Sequence, residues 1–123
     1  MNGNKLLLDT NIILYLLNGD LTLVDILEGK QVYVSFITEL ELYSFMNLNE
    51  TEKLKIDSVL SSCSIININA GIKLKTIEIR KSHMIKLPDS IIAGTALYLN
   101  LPLITTDSDF KKVGELTLLH YER

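Results

Sequence analysis

Short apolar runs that stop at polar turns alternate with stretches in which apolar residues recur every three or four positions. Leu6-Leu7-Leu8 runs straight into Asp9-Thr10-Asn11, and a helical pattern with Ile12, Ile13, Leu16 and Leu17 follows at once. A continuous apolar run closed by a polar turn reads as a buried parallel strand. Asn18-Gly19-Asp20 is a turn signal, and Asp20 caps a predicted second helix running to about Glu28, with Gly29 ending it. Val32-Tyr33-Val34 is a β-rich second strand. A third helix is predicted from near Ile37 to about Asn47. Glu50-Thr51-Glu52 opens a fourth, with Ile56, Val59, Leu60 and Cys63 on one face. Ile65 to Ile68 reads as a third strand. Asn69 or Ala70 then starts a helix with Leu74 and Ile77 on its inner side. Leu87-Pro88-Asp89 opens a helix through Ile92, Ala96 and Leu99, with Pro88 suited to the first helical position. Leu103-Ile104-Thr105 is a fourth strand, and Leu116 to Leu119 a weak fifth. Repeated strand-then-helix units predict an α/β fold on a mainly parallel sheet of about five strands, with right-handed crossovers.

A length of 123 residues bounds the chain to one domain, residues 1–123, and a 47% hydrophobic, 22% charged composition is that of an ordinary soluble protein. The formal net charge of -3 carries no basic excess of the kind that marks a nucleic-acid binder. One cysteine, Cys63, excludes an internal disulfide and suggests a reducing compartment. The apolar run Ile12 to Leu17 is too short to span a bilayer, and the opening Met-Asn-Gly-Asn-Lys is too short and polar for a signal peptide. A cytoplasmic protein with no membrane partner is expected. No linker, repeat or low-complexity segment interrupts the chain.

Four acids stand out, three of them where elements begin or end. Asp9 closes the first strand, Glu41 lies in the third helix, Asp89 opens a late helix, and Asp107 follows the fourth strand. An aspartate between strand and helix is often an N-cap, and that role is open for Asp9, Asp89 and Asp107. Asp89 after Pro88 also suits the positive end of a helix dipole. Glu41 cannot be an N-cap. At about 100° per residue its helix-surface neighbours are Ile37, Thr38, Phe45 and Leu48. A glutamate in such a core-facing arc is paired or coordinates something. No lysine or arginine occurs between Lys30 and Lys53, so no local partner is at hand.

These motifs resemble those of a known family. Asp9-Thr10-Asn11, Thr38-x-x-Glu41-Leu42, Asp89-x-x-Ile92-Ala93-x-x-Ala96 and Thr105-x-Asp107-x-Asp109-Phe110 occur in the order found in PIN-domain ribonucleases, and the small size resembles VapC-type toxins of toxin–antitoxin pairs. The resemblance implies a PIN-like three-layer α/β/α sandwich, dependence on Mg²⁺ or Mn²⁺, endonucleolytic cleavage of RNA, a homodimer, and inhibition by a cognate antitoxin. It selects Glu41 over Glu39 by its spacing from Thr38. Gly94 stands where alanine is common, and both are small. Asp107 and Asp109 both remain open as the fourth acid.

The chemistry agrees. Hard divalent cations take oxygen ligands, and Mg²⁺ is held by one or two carboxylates plus waters and substrate phosphate. Asp9 and Asp89 are the expected closest ligands; Glu41 and Asp107 act directly or through water. Asn11 and Thr105 are candidates for holding the carboxylates in place. The site needs no histidine, so His83 and His120 are expected to be solvent-facing or structural. Arg80, Lys81, Lys86, Lys111 and Lys112 are candidates for a rim of phosphate contacts, although ordinary surface charge is the simpler reading for each. Two other functions compete. A phosphatase would use Asp9 as nucleophile, but Asn11 stands where a second acid is wanted. A non-catalytic module would keep the acids only as caps. The third helix also suggests a partner, because Leu40, Leu42, Tyr43, Phe45 and Met46 surround it with Ile37 and Leu48. Burial under the following helix explains that pattern equally well.

Overall fold

The computed structural model describes residues 4–45 and 47–122. In chain order the elements are β1 (Lys5–Leu8), α1 (Thr10–Leu17), α2 (Leu21–Leu27), β2 (Gln31–Ser35), α3 (Phe36–Tyr43), α4 (Glu50–Ser61), β3 (Ser64–Ile66), α5 (Ala70–Ser82), α6 (Leu87–Leu99), β4 (Leu103–Thr105), a 3₁₀ turn (Ser108–Lys112) and β5 (Leu118–His120). The five strands form one sheet of order β3-β2-β1-β4-β5, and every neighbouring pair is parallel.

The leucine run of β1 builds the centre of the molecule. Side chains alternate across a strand, so Leu6 and Leu8 join Ile12, Ile13, Leu23, Ile56 and Leu60 on the face covered by α1, α2 and α4. Leu7 joins Ile79, Ile92, Ala93, Ala96 and Phe110 on the opposite face, under α5 and α6. Helices therefore cover both sides of a parallel sheet, the three-layer α/β/α sandwich that the motifs imply. Leu7 and Leu8 have no exposed surface, and each such leucine stabilises the fold by roughly 2 kcal/mol. Among the described residues, no single helix is long and apolar enough to cross a membrane.

Several local expectations shift. The third helix stops at Tyr43 rather than near Asn47, because the Ser44 hydroxyl donates to the Leu40 carbonyl and Asn47 adopts a left-handed backbone with φ 63°. Met46, counted within that helix and its apolar surface, lies outside the described residues. The third strand ends at Ile66, since the chain must leave the sheet for Asn69 to cap α5 by accepting from Ile72 N at 2.8 Å. The last strand begins at Leu118, because Leu116 is held in a turn to the Val113 carbonyl at 3.2 Å. Pro88 occupies the second position of α6, not the first.

The inner side of α5 is also different. Leu74 and Ile77 are 58% and 51% exposed, and Ile72, Thr76 and Ile79 face inward. The reason lies on α6. A Cβ added at Gly94 would meet Thr76 Oγ1 at 2.7 Å and Thr76 N at 3.1 Å. The two helices approach closely through this glycine, and that contact fixes the rotation of α5. Gly94 is thus not interchangeable with alanine here. The buried Thr76 hydroxyl is satisfied by donating to the Ile72 carbonyl at 2.8 Å.

Candidate metal centre

The strand order creates the site. From β1 the chain moves outward through β2 and β3, then returns to the other side of β1 for β4 and β5. The carboxyl ends of β1 and β4 therefore flank the crevice at a topological switch point, where ligands bind in open α/β sheets. Asp9 stands directly after β1, and its N–H donates to the Ile104 carbonyl of β4 at 3.0 Å. Asp107 stands just after β4. Thr105 couples the two: its hydroxyl donates to Asp9 Oδ2 at 2.6 Å and accepts from Asp107 N at 3.0 Å.

Glu41 reaches the crevice from the other side. The register pairs Leu8 with Val34, which sets Ser35 beside Asp9. Ser35 then caps α3 by accepting from Ile37 N at 3.1 Å. One turn along, Thr10 Oγ1 donates to Glu41 Oε1 at 2.7 Å and lies 3.0 Å from Thr38 Oγ1. A hydroxyl has one proton, so Thr38 donates to Thr10 and Thr10 donates to Glu41. Asp89 enters as the third residue of α6. Together Asp9, Thr10, Asn11, Glu41, Asp89 and Asp107 line a cleft of about 230 Å³, with Leu14 and Phe45 as its apolar wall. Among the described residues, no lysine or arginine lines it.

The charges strain against one another. Asp9 is 5% exposed. Burial raises its pKa, the Thr105 and Thr10 hydrogen bonds pull it down, and Asp107 and Glu41 push it up again. Asp89 is pushed up to about 6, mainly by burial, then by Asp9 and Asp107; Lys86 opposes this, and Glu41 adds to it. Carboxylates sharing a partly desolvated site resist joint ionisation.

Asp109 stands at the edge of this group. A carboxylate oxygen from each of Asp89, Asp107 and Asp109 lies within 4.8 Å of the others, but Asp109 does not line the cleft, and its carboxylate is 3.5 Å from Lys112 Nζ. Asp89 and Asp107 belong to both groupings. Asp107 lines the cleft with Asp9, Glu41 and Asp89, and Asp109 pairs with Lys112 at its rim. An all-oxygen donor set without an internal cation suits a hard divalent ion.

The capping question divides. Asp9 and Asp107 do cap, accepting from Thr10 N at 2.8 Å and Asp109 N at 2.9 Å. Asp89 caps nothing: α6 begins at Leu87, and Lys86 holds the cap position without a side-chain bond. Glu41 is exposed rather than core-facing; the core side of α3 is Thr38 and Leu42. Asn11 lines the cleft, but its side chain donates to Thr106 Oγ1 at 3.5 Å instead of to a carboxylate. His120 contacts the Thr106 carbonyl at 3.1 Å, and His83 ends α5; neither lines the cleft. Thr10 as the donor to Glu41 was not anticipated. The only hint was its place between Asp9 and Asn11.

The PIN domain family model matches residues 6–116, nearly the whole span that builds the sheet and the cleft. The chain belongs to the PIN domain family. This is a family of nucleases, and the likeness extends to VapC-type members. A chain of the VapBC2 complex of Rickettsia felis, bound to a DNA fragment from its promoter, shares 26% identity over 96% of this chain and 99% of that one, with a TM-score of 0.84. A chain of a toxin–antitoxin complex from Klebsiella pneumoniae shares 32% identity over 95% of this chain and 98% of that one, with a TM-score of 0.80. A chain of VapBC-1 from nontypeable Haemophilus influenzae shares 27% over 94% and 97%, with a TM-score of 0.76. No curated protein matches the sequence.

Proposed function

We propose that this PIN-domain chain is a metal-dependent endoribonuclease, the toxin of a toxin–antitoxin pair, hydrolysing RNA phosphodiester bonds at Asp9, Glu41, Asp89 and Asp107. The observation that carries the proposal is four acids from four separate segments converging on one cleft that, among the described residues, has no basic side chain in its lining. Folding spends stability to hold such a group unless a cation joins it. Mg²⁺ or Mn²⁺ fits the donor set; Asp9 and Asp89 would hold it, with Glu41 and Asp107 direct or through water. A bound divalent ion would supply a lowered water pKa and charge stabilisation on the phosphodiester. The chain's own residues supply geometry. Thr105 fixes Asp9 relative to Asp107, and Thr10 fixes Glu41.

A non-catalytic module is the second reading, favoured by the caps that Asp9 and Asp107 form. Asp89, which caps nothing, argues against it. The phosphatase reading is weaker, since both oxygens of Asp9 already accept hydrogen bonds. Cleavage of RNA with Mn²⁺, Mg²⁺ or chelator tests the proposal; full activity in chelator refutes it.

An antitoxin partner is proposed from the named complexes. A homodimer is proposed from α3 and the segment just after it, where Leu40 and Tyr43 on the helix and Phe45 beyond it remain exposed. Exposed apolar side chains so placed fit a protein contact.

A further inference from the structure

Beside the acid cleft lies a second recess of about 550 Å³ with the opposite charge. It is walled by Arg80 and His83 from the end of α5, Ile85 and Lys86 from the α5–α6 connection, and Asp109 and Lys112 from the 3₁₀ turn. Three cations face one carboxylate here, in a chain whose formal net charge is -3. Of the five basic residues singled out in the sequence, the fold gathers Arg80, Lys86 and Lys112, while Lys81 and Lys111 do not line the recess.

The recess joins the acid cleft. Asp109 lines the recess and links it to the cleft, with its carboxylate within 4.8 Å of Asp89 and Asp107 and 3.5 Å from Lys112 Nζ. Lys86 holds the cap position of α6, three residues before Asp89. Two of the cationic heads are held in place: Arg80 donates to the Ile85 carbonyl at 2.9 Å, and Lys112 to the Met84 carbonyl at 3.0 Å. A guanidinium has five donors and an ammonium three, so Arg80 keeps most of its donors, while Lys112, which also pairs with Asp109, keeps one. Among the described residues, Lys86 makes no side-chain hydrogen bond or ion pair. Pre-positioned cations contiguous with a site that cuts a polyanion are suited to its backbone charge.

We propose that this recess binds an RNA phosphate adjacent to the one cleaved, with Arg80, Lys86 and Lys112 as its contacts. The inference rests on the ribonuclease reading. It divides the labour at the site: the acids handle the scissile group, and the recess sets the strand's position. Its residues therefore govern affinity rather than turnover.

The test uses single-stranded RNA with Lys86→Gln, Lys112→Gln, Lys86→Arg and, as control, Lys73→Gln on the exposed first turn of α5. Binding is followed by anisotropy in chelator across a salt series, and cleavage in Mn²⁺. Lys86→Gln should raise KM several-fold with kcat within about twofold. It should flatten the slope of log affinity against log salt by about 0.7, the share of one single-strand phosphate contact. Lys86→Arg should restore both, and Lys73→Gln should change neither. Lys112→Gln should act like Lys86→Gln; if it also loosens the fold, melting shows it, and Lys86 decides. If the wild type cleaves RNA and the Lys86 and Lys112 variants match it in KM and salt slope, the recess is refuted while the nuclease reading stands. If no ion supports cleavage yet binding follows the predicted pattern, the nuclease reading falls, and with it the claim that the bound phosphate adjoins the one cleaved, while the recess stands as an RNA-phosphate site.

Discussion

Asp89→Asn separates a metal site from a set of helix caps. The substitution keeps the side chain's shape, removes its charge and disturbs no cap, because Asp89 makes none. Without metal, the carboxyl is moved from 3.8 to about 6 by burial and by Asp9 and Asp107. At 1.36 kcal/mol per tenfold, that is roughly 3 kcal/mol of unfavourable ionisation at neutral pH. The side chain is only half-buried, so solvent screening cuts the figure to ~1 kcal/mol. The sign follows from linkage. A raised folded-state pKa means a contribution fully present below 3.8 and lost as pH rises through about 6. In chelator at pH 7, Asp89→Asn should therefore be ~1 kcal/mol more stable than wild type, or roughly 4 °C higher in Tm for a chain of this size. The advantage should vanish near pH 4. In Mn²⁺ the order reverses, because the variant lacks a charged ligand. Cleavage should fall by more than the ~10–100-fold typical of losing an outer-shell partner. Urea melts in chelator at the two pH values and cleavage in Mn²⁺ provide the readouts. A variant less stable than wild type in chelator at pH 7, or one that cleaves normally, refutes the reasoning.

Other outcomes follow from the same geometry. Millimolar Mn²⁺ should raise the wild-type Tm, since ligand at a hundredfold excess over Kd adds about 2.7 kcal/mol; calorimetry with and without chelator checks this, and an unchanged Tm argues against the ion. Gly94→Ala should destabilise by ~1 kcal/mol, because crowding against Thr76, typically 1–3 kcal/mol, outweighs the ~1 kcal/mol gained in helix propensity. Adding Thr76→Ala should recover part of that loss in denaturant melts. Thr10→Val should release Glu41 and lower kcat about tenfold, with a stability change near 1 kcal/mol; an unchanged kcat would show that Glu41 needs no such anchor. Leu40→Glu, on the exposed side of α3 and free of the Tyr43–Asp57 hydrogen bond, should halve the mass seen by light scattering if α3 forms the homodimer contact.

Local pattern was enough for the parts of the molecule governed by local rules. Leu103–Thr105 is the strand its apolar run predicts, and Leu6-Leu7-Leu8 is the central one, because a run buried on both faces has no polar side to show. Asp20 and Asn69 cap the helices they precede. Asp9, Asp89 and Asp107 were visible as residue types at element ends and Glu41 inside a helix; their gathering was implied only by the resemblance that the order of the motifs carries. Tertiary structure decided what depends on a neighbour. Helix α5 carries two apolar stripes, one through Ile72 and Ile79 and one through Leu74 and Ile77; periodicity weights them alike, and only the close approach at Gly94 buries the first. The same holds for Glu41. Its helix neighbours suggested a buried arc, but its surroundings are set by Thr10, which parallel pairing of β1 with β2 brings alongside. Asp89 is equidistant from two roles in the sequence, cap and ligand. The start of α6 two residues earlier removed the first, since a cap is defined by where the backbone turns and a charge only by what surrounds it.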